Sequence, residues 1–282
     1  MTAVGVDWSQ VGMSAAVAAL PMYDFLELQA ANDALWSALC NRLADAGVEC
    51  APARLNRGAN LDRLWTDPNL MLAQTCGYPF MTRLRGRVRL VLTPRYRARG
   101  CDGPFHRSVV VVRKGERAQG LADLRGLRLA LNGPDSNTGM NLLRAEIAPI
   151  ARTAAFFGAV ISTGSHAASA AAVAEGQADV AAIDCITWAH LQRLQSELTE
   201  RLSVLAWTAR SPGLPLITGR LTDRATFEAL TAALNDLARD EALAPVRHTL
   251  LLEGFHPLPE PHYRSLLYFE QMAESLGYPA LR

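Results

Sequence analysis

The chain has 282 residues, half of them hydrophobic and a fifth charged, with a formal net charge of +1. A chain of this size buries a sizeable core as one large domain or two lobes, and its near-neutral balance creates no global field for nucleic acid or an anionic membrane. The five cysteines, Cys40, Cys50, Cys76, Cys101 and Cys185, are odd in number, with no Cys-x-x-Cys or histidine-spaced pair. That argues against a zinc site and a complete disulfide framework, and leaves a single bridge such as Cys76–Cys101 open.

Residues 1–20 lack a basic leading region, and the apolar run Met13–Leu20 is at the short end for a signal sequence. No stretch approaches the length of a membrane span. On sequence alone the chain reads as cytoplasmic, or as a product whose leader is absent. Ala15–Leu20 is the first strand candidate, ending at Pro21-Met22-Tyr23-Asp24. A helical pattern follows, with Leu28, Ala31, Leu35, Leu39 and Leu43 on one face and Gly47 closing it. Val48–Leu55 reads as a second strand, Leu61–Trp65 as a short helix and Leu70–Gln74 as a third strand, ending at Thr75-Cys76-Gly77-Tyr78-Pro79. Val88–Thr93 is a fourth. The alternation implies a parallel sheet with helices on both faces.

Pro94–Pro104 is loop-like, and Ser108–Val112 is a β-branched run between Arg107 and Arg113. A second alternating set then begins: a strand at Leu127–Leu131, a turn over 132–139 and a helix from Met140. A strand at Ala159–Ser162, the turn Thr163-Gly164-Ser165-His166, a helix over about 167–175 and a strand at Ala178–Ile183 follow, the last ending at Asp184-Cys185. Ser203–Trp207 is a further strand and Ser211–Thr218 an extended segment. The closing helices place Phe227, Leu230, Leu234 and Leu237 on one face and start again at Pro259. The expectation is an α/β fold of two lobes, each a mostly parallel sheet flanked by helices, with a ligand cleft between them. Residues 1–112 with 205–282 would form one lobe and 113–204 the other, joined near Ser108–Val112 and Trp207.

In open α/β sheets ligands sit beyond the carboxyl ends of the strands. The turn Asn132-Gly-Pro-Asp-Ser136-Asn137-Thr138-Gly139 lies at such an end. It gathers hydroxyl donors and free N–H groups at a helix start, which suits an oxyanion. It reads equally as a capped turn without a ligand. No P-loop, dinucleotide fingerprint, His-Glu-x-x-His or serine elbow is present, and no metal or cofactor is expected.

The turn Asn132…Gly139, then Thr163-Gly-Ser165-His166, then Glu175-Gly-Gln-Ala-Asp179-Val-Ala-Ala-Ile-Asp184 together resemble the substrate-binding proteins of phosphate/phosphite/phosphonate ABC transporters, which have the type II periplasmic binding fold. The similarity runs from about Ala15 to Thr218. It implies a solute-binding component of an ABC uptake system that holds a small oxyanion between its lobes. Ser136, Asn137, Thr138 and Gly139 would cradle the anion at a helix start, and Ser165 and His166 would add donors from the next. Asp184 would receive the cationic end of an amino-phosphonate or orient a neighbouring donor. Tyr23 and Tyr78 fall near the family's aromatic contacts, and His106 where many members carry tyrosine. The partners implied are the anion and a permease, with the protein a monomer or weak dimer, in the periplasm by family. Two alternatives stand beside this. Asp184 reads also as a helix cap. Cys76 or Cys185, both at strand ends, would with His166 give a cytoplasmic enzyme or sensor on the same fold.

Overall fold

The computed structural model describes residues 16–48, 51–151 and 155–282. Its strands are β1 (Val17–Ala19), β2 (Leu70–Gln74), β3 (Val88–Leu90), β4 (Thr93–Tyr96), β5 (Phe105–His106), β6 (Ser108–Arg113), β7 (Arg128–Leu131), β8 (Ala159–Ser162), β9 (Val180–Asp184), β10 (Leu202–Trp207), β11 (Ser211–Pro212), β12 (Leu216–Gly219) and β13 (Leu252–His256). The helices are α1 (Gln29–Asp45), α2 (Leu61–Trp65), α3 (Gly77–Pro79), α4 (Leu142–Ala151), α5 (His166–Ala174), α6 (Cys185–Leu194), α7 (Ser196–Thr199), α8 (Arg224–Arg239), α9 (Ala244–Thr249) and α10 (Glu260–Ser275). A π-helical turn, Asn137–Asn141, runs directly into α4.

Two sheets carry the fold, in the orders β1-β2-β12-β3 and β10-β6-β9-β7-β8. β1 is parallel to β2, whereas β12 runs against both β2 and β3. In the second sheet β7, β8 and β9 are parallel, and β6 runs against both β9 and β10. Each sheet is therefore parallel but for one reversed strand. Those two strands are where the chain enters the five-stranded sheet (β6) and where it returns to the four-stranded one (β12). β6 and β10 both belong to the five-stranded sheet, so the chain crosses just before Ser108 and just after Trp207. The small β5–β11 ladder lies on these two crossings.

Alternation along β6 and β9 shows why their sequences are almost wholly apolar. Val110, Val112, Val180 and Ala182 pack into the core under α4, while Val109, Val111, Ala181 and Ile183 pack on the other face with α5 and α6. With both faces covered, neither parity can be polar. The four-stranded sheet has α1 and α8 on one face, and α2 and the start of α10 on the other. α10 serves both lobes. Tyr263 and Leu266 pack with Leu70 and Ile217, whereas Ala273 joins Tyr278, Leu143 and Val180 in the core of the other sheet.

The second strand read from sequence, Val48–Leu55, is not formed in its described part: residues 51–55 are irregular. Pro52 has no N–H to give a ladder, and its carbonyl accepts the Trp36 Nε1 proton at 2.8 Å. Met13, Ala15, Trp8 and Cys50 lie outside the described residues.

Candidate functional site

Five strand-to-helix junctions of the two sheets empty into one cavity of about 450 Å³. Its walls include Tyr23 after β1, Cys76 after β2, Asn132, Ser136 and Thr138 after β7, Ser165 and His166 after β8, and Asp184 and Thr187 after β9. These are the carboxyl ends of the strands, where parallel α/β topology leaves helix N–H groups unpaired.

The turn after β7 is built as a donor. Ser136 caps the helix, its Oγ accepting from the Gly139 N–H at 2.9 Å and from Asn132 Nδ2 at 3.1 Å. Both lone pairs are then engaged, so the hydroxyl proton is the group left over for a guest. Ser108 Oγ donates to the Thr138 carbonyl at 2.6 Å and ties the turn to β6. Thr138 Oγ1 lies 3.0 Å from His166 Nε2. Gly139 is needed for this packing: a Cβ there would land on the Asn132 carboxamide and press on the His166 ring. Its small size thus makes room for the Asn132 carboxamide and the His166 ring. At the next junction Ser165 caps α5, Oγ accepting from the Ala168 N–H at 3.1 Å, and His166 opens the helix.

No arginine or lysine is among the described residues lining the cavity, and each of its three carboxylates is already matched. Asp24 is paired with Arg57 at 2.7 Å, Asp135 with Arg83 at 2.6 Å, and Asp184 with His106 Nδ1 at 3.1 Å. Asp184 is also the cap of α6, its Oδ1 accepting from the Ile186 and Thr187 N–H groups at 2.9 and 3.0 Å. Burial pushes its carboxyl upward, but His106, His166 and the Thr187 N–H outweigh this and hold it below the usual carboxylate range. Burial also lowers the His166 ring from its ordinary value, against a smaller opposing pull from Asp184. Tyr23 is buried and its hydroxyl finds no partner among the described residues, as does Asn132 Oδ1. Burial, then Asp184, raise the Tyr23 phenol far above its usual value, so it stays a neutral donor.

Of the ten residues singled out from sequence, Tyr23, Ser136, Thr138, Ser165, His166 and Asp184 line this cavity. The other four lie behind or beside it. Tyr78 donates its hydroxyl to Glu270 of α10. His106 backs Asp184. Asn137 Nδ2 donates to Ser211 Oγ at 2.9 Å and pins the crossing segment. Gly139 lies under the Asn132 carboxamide. Missed from the set, with Thr187 of α6, is Asn132, the first of the turn. Its signal was a polar residue directly ending an apolar strand.

A family model described as the periplasmic substrate-binding protein of ABC phosphonate transporters matches residues 17–263. The chain belongs to this family of phosphonate-transporter binding proteins. Solved structures agree in fold. PhnD1 from Prochlorococcus marinus, in complex with methylphosphonate, superposes with a TM-score of 0.74 at 14% identity, covering 92% of this chain and 98% of that one. A binding protein component of an ABC phosphonate transporter from Pseudomonas aeruginosa gives 0.73 at 16%, covering 93% and 88%. A Xanthomonas citri protein bound to chloride gives 0.71 at 17%, covering 93% and 98%. A comparison with curated protein sequences returned no match.

Phosphonate-binding proteins of this family bind solutes rather than transform them, and the cysteines here are consistent with that. Cys76 reaches the cavity, where its Sγ accepts from the Asn137 N–H at 3.4 Å, but burial pushes its thiol up to about 11. A shift in that direction favours the protonated thiol over the nucleophilic thiolate at neutral pH. Cys185 is fully buried with its sulfur 3.7 Å from that of Cys101. The Cys76–Cys101 bridge left open by the sequence is not formed, since Cys101 faces Cys185 instead. No helix among the described residues is long and apolar enough to cross a membrane.

Proposed function

We propose that the cleft binds a phosphonate, phosphite or phosphate anion through hydroxyl and helix N–H donors with His166 beside them, and that the chain delivers it to an ABC permease. The carrying observation is the convergence, on one cavity, of two serine-capped helix starts with Tyr23, whose buried hydroxyl lacks a partner among the described residues. Buried polar groups are normally satisfied, and an oxyanion satisfies this one together with the Ser136 proton and the N–H groups of the first helical turns. Thr138 and His166 complete the ring of contacts. The methylphosphonate held by the Prochlorococcus marinus protein is a ligand of the expected size and charge.

Asp184 plays one of two parts, set by the ligand. Its carboxylate repels a bare dianion, so it orients His106 when the guest is phosphate-like and meets the ammonium when the guest is an amino-phosphonate. In this reading the lobes meet before β6 and after β10, because both strands belong to the five-stranded sheet, rather than at 112/113 and 204/205 as expected from sequence, and they pivot about those crossings. Monomers or weak dimers acting in the periplasm complete it.

A thermal-shift panel of methylphosphonate, aminoethylphosphonate, phosphite, phosphate and sulfate tests the reading. Each micromolar binder raises the melting temperature by mass action. Ser136→Ala and His166→Ala remove the rise. Absence of a shift with every oxyanion overturns the proposal.

A further inference from the structure

We propose that Cys101 and Cys185 are a reversible disulfide site, reached by oxidant through a second, cationic recess beside Cys101. Cys101 lies half-buried on the loop between β4 and β5, and Cys185 is the first residue of α6. Their sulfurs are 3.7 Å apart, so closing to a disulfide of about 2.05 Å asks for an approach of about 1.7 Å. The loop backbone is already seated on α6: a Cβ placed on Gly100 would come within 2.9 Å of the Cys185 Cβ. The chain thus holds two thiols from distant elements in contact with no intervening side chain.

Access is one-sided. Cys101 opens onto a recess of about 310 Å³ walled by Arg99, Gly100, Asp102, Arg107 and Trp207, in which Asp102 is already paired with Arg210, and this recess shares no lining residue with the ligand cleft. The Arg99 guanidinium lies 5.3 Å from the Trp207 ring centroid, and the Arg107 Nε is buried without a partner among the described residues. The two guanidiniums draw in an anionic disulfide such as glutathione disulfide. Cys185 is 0% exposed and sits behind Cys101. The periplasm assigned to the family is a compartment where disulfides persist.

The steps balance. The Cys101 thiolate attacks one sulfur of the oxidant, forming a mixed disulfide and releasing a thiolate that takes up the proton Cys101 gave away. Cys185 then attacks the Cys101 sulfur, displacing the second thiolate, which takes the Cys185 proton. One external disulfide becomes two thiols, and two protein thiols become one disulfide. The bond would staple the first crossing to the start of α6. That is next to Asp184 and beside Tyr23, which shares an apolar cluster with Cys185.

The reduced full-length protein is incubated with glutathione disulfide, quenched with N-ethylmaleimide and mapped by peptide mass spectrometry. The expected product is a Cys101–Cys185 linked peptide, with a melting temperature that rises on oxidation and falls back on reduction. Cys185→Ser is expected to stop at a glutathione adduct on Cys101, and Cys101→Ser to leave Cys185 unmodified in the native protein. A map with no Cys101–Cys185 peptide overturns the proposal. So does a pairing of Cys101 with Cys76, or Cys185 modified in Cys101→Ser as fast as Cys101 is in Cys185→Ser. Should a serine variant not fold, the wild-type map alone decides. Ligand binding plays no part in the readout.

Discussion

Three of the helices that open onto the cleft differ in the residue that caps them. The helix leading into α4 begins on Ser136 and α5 begins on Ser165, both uncharged, whereas α6 begins on the Asp184 carboxylate. A helix start carries about half a positive charge. Asp184 neutralises its own helix and has nothing left for an anion, while the two serines satisfy one N–H each and leave the field of their helices unspent. The cleft is therefore electrostatically asymmetric, and the proposed reading puts an anion at the starts of α4 and α5 and a positive group, if the ligand has one, at α6.

The largest expected effect comes from breaking the charged start. Asp184→Ala removes two cap hydrogen bonds and leaves His106 buried opposite no carboxylate. Loss of a buried partner and a cap together costs about 3–5 kcal/mol, measured as a shift in the urea midpoint. A loss below about 1 kcal/mol would show that the pair contributes little. The pH dependence follows from the same group. Its folded value is depressed, so its stabilisation is present above the unfolded carboxylate value and disappears as pH falls through the folded one. Next is Ser136→Ala, which deletes a hydrogen bond to the anion worth about 1.5–3 kcal/mol, or roughly tenfold to a hundredfold in Kd. Calorimetry with the best anion of the panel measures it, and unchanged affinity would remove the α4 start from the site.

A smaller effect separates His166 from the serines. In the free protein burial keeps its ring below the ordinary value, so it is neutral near pH 7. An anion beside it stabilises the imidazolium, its pKa rises on binding, and affinity grows as pH falls from the bound value toward the free one. The ratio of wild-type to His166→Gln affinity cancels the ligand's own ionisation. That ratio should rise by up to about tenfold per pH unit below neutrality, and a flat ratio would mean that His166 acts as a neutral donor throughout. The smallest change is expected at Ser165→Ala. Its cap bond to Ala168 is worth about 1 kcal/mol of stability, with under about threefold in Kd by the affinity scale. A larger binding loss would mean that the hydroxyl itself touches the guest.

How much of this was legible depended on distance along the chain. The β7, β8 and β9 junctions announce themselves locally: a short, mostly apolar run, then serine or aspartate, then a helix. Their caps lie three residues or fewer from the N–H groups they satisfy, so sequence spacing suffices. Tyr78 was misplaced because its partner, Glu270, lies 192 residues away. The Asp184–His106 and Cys101–Cys185 contacts likewise depend on how β5 and the crossing loop fold over the start of α6. The strand expected at Val48–Leu55 followed from apolar content, but Pro52 cannot enter a ladder. Reversed strands were also hidden, since direction is a property of the connections, and β6 looks in sequence like any buried strand.

The helix that packs on both sheets has a mechanical consequence. Two strands crossing between bodies define a line, and rotation about a line is free. α10 adds a third point of attachment away from that line, with Tyr263 and Leu266 anchored on one body and Ala273 on the other. Three points define a plane, so any swing of the jaws about the crossings slides or bends that helix.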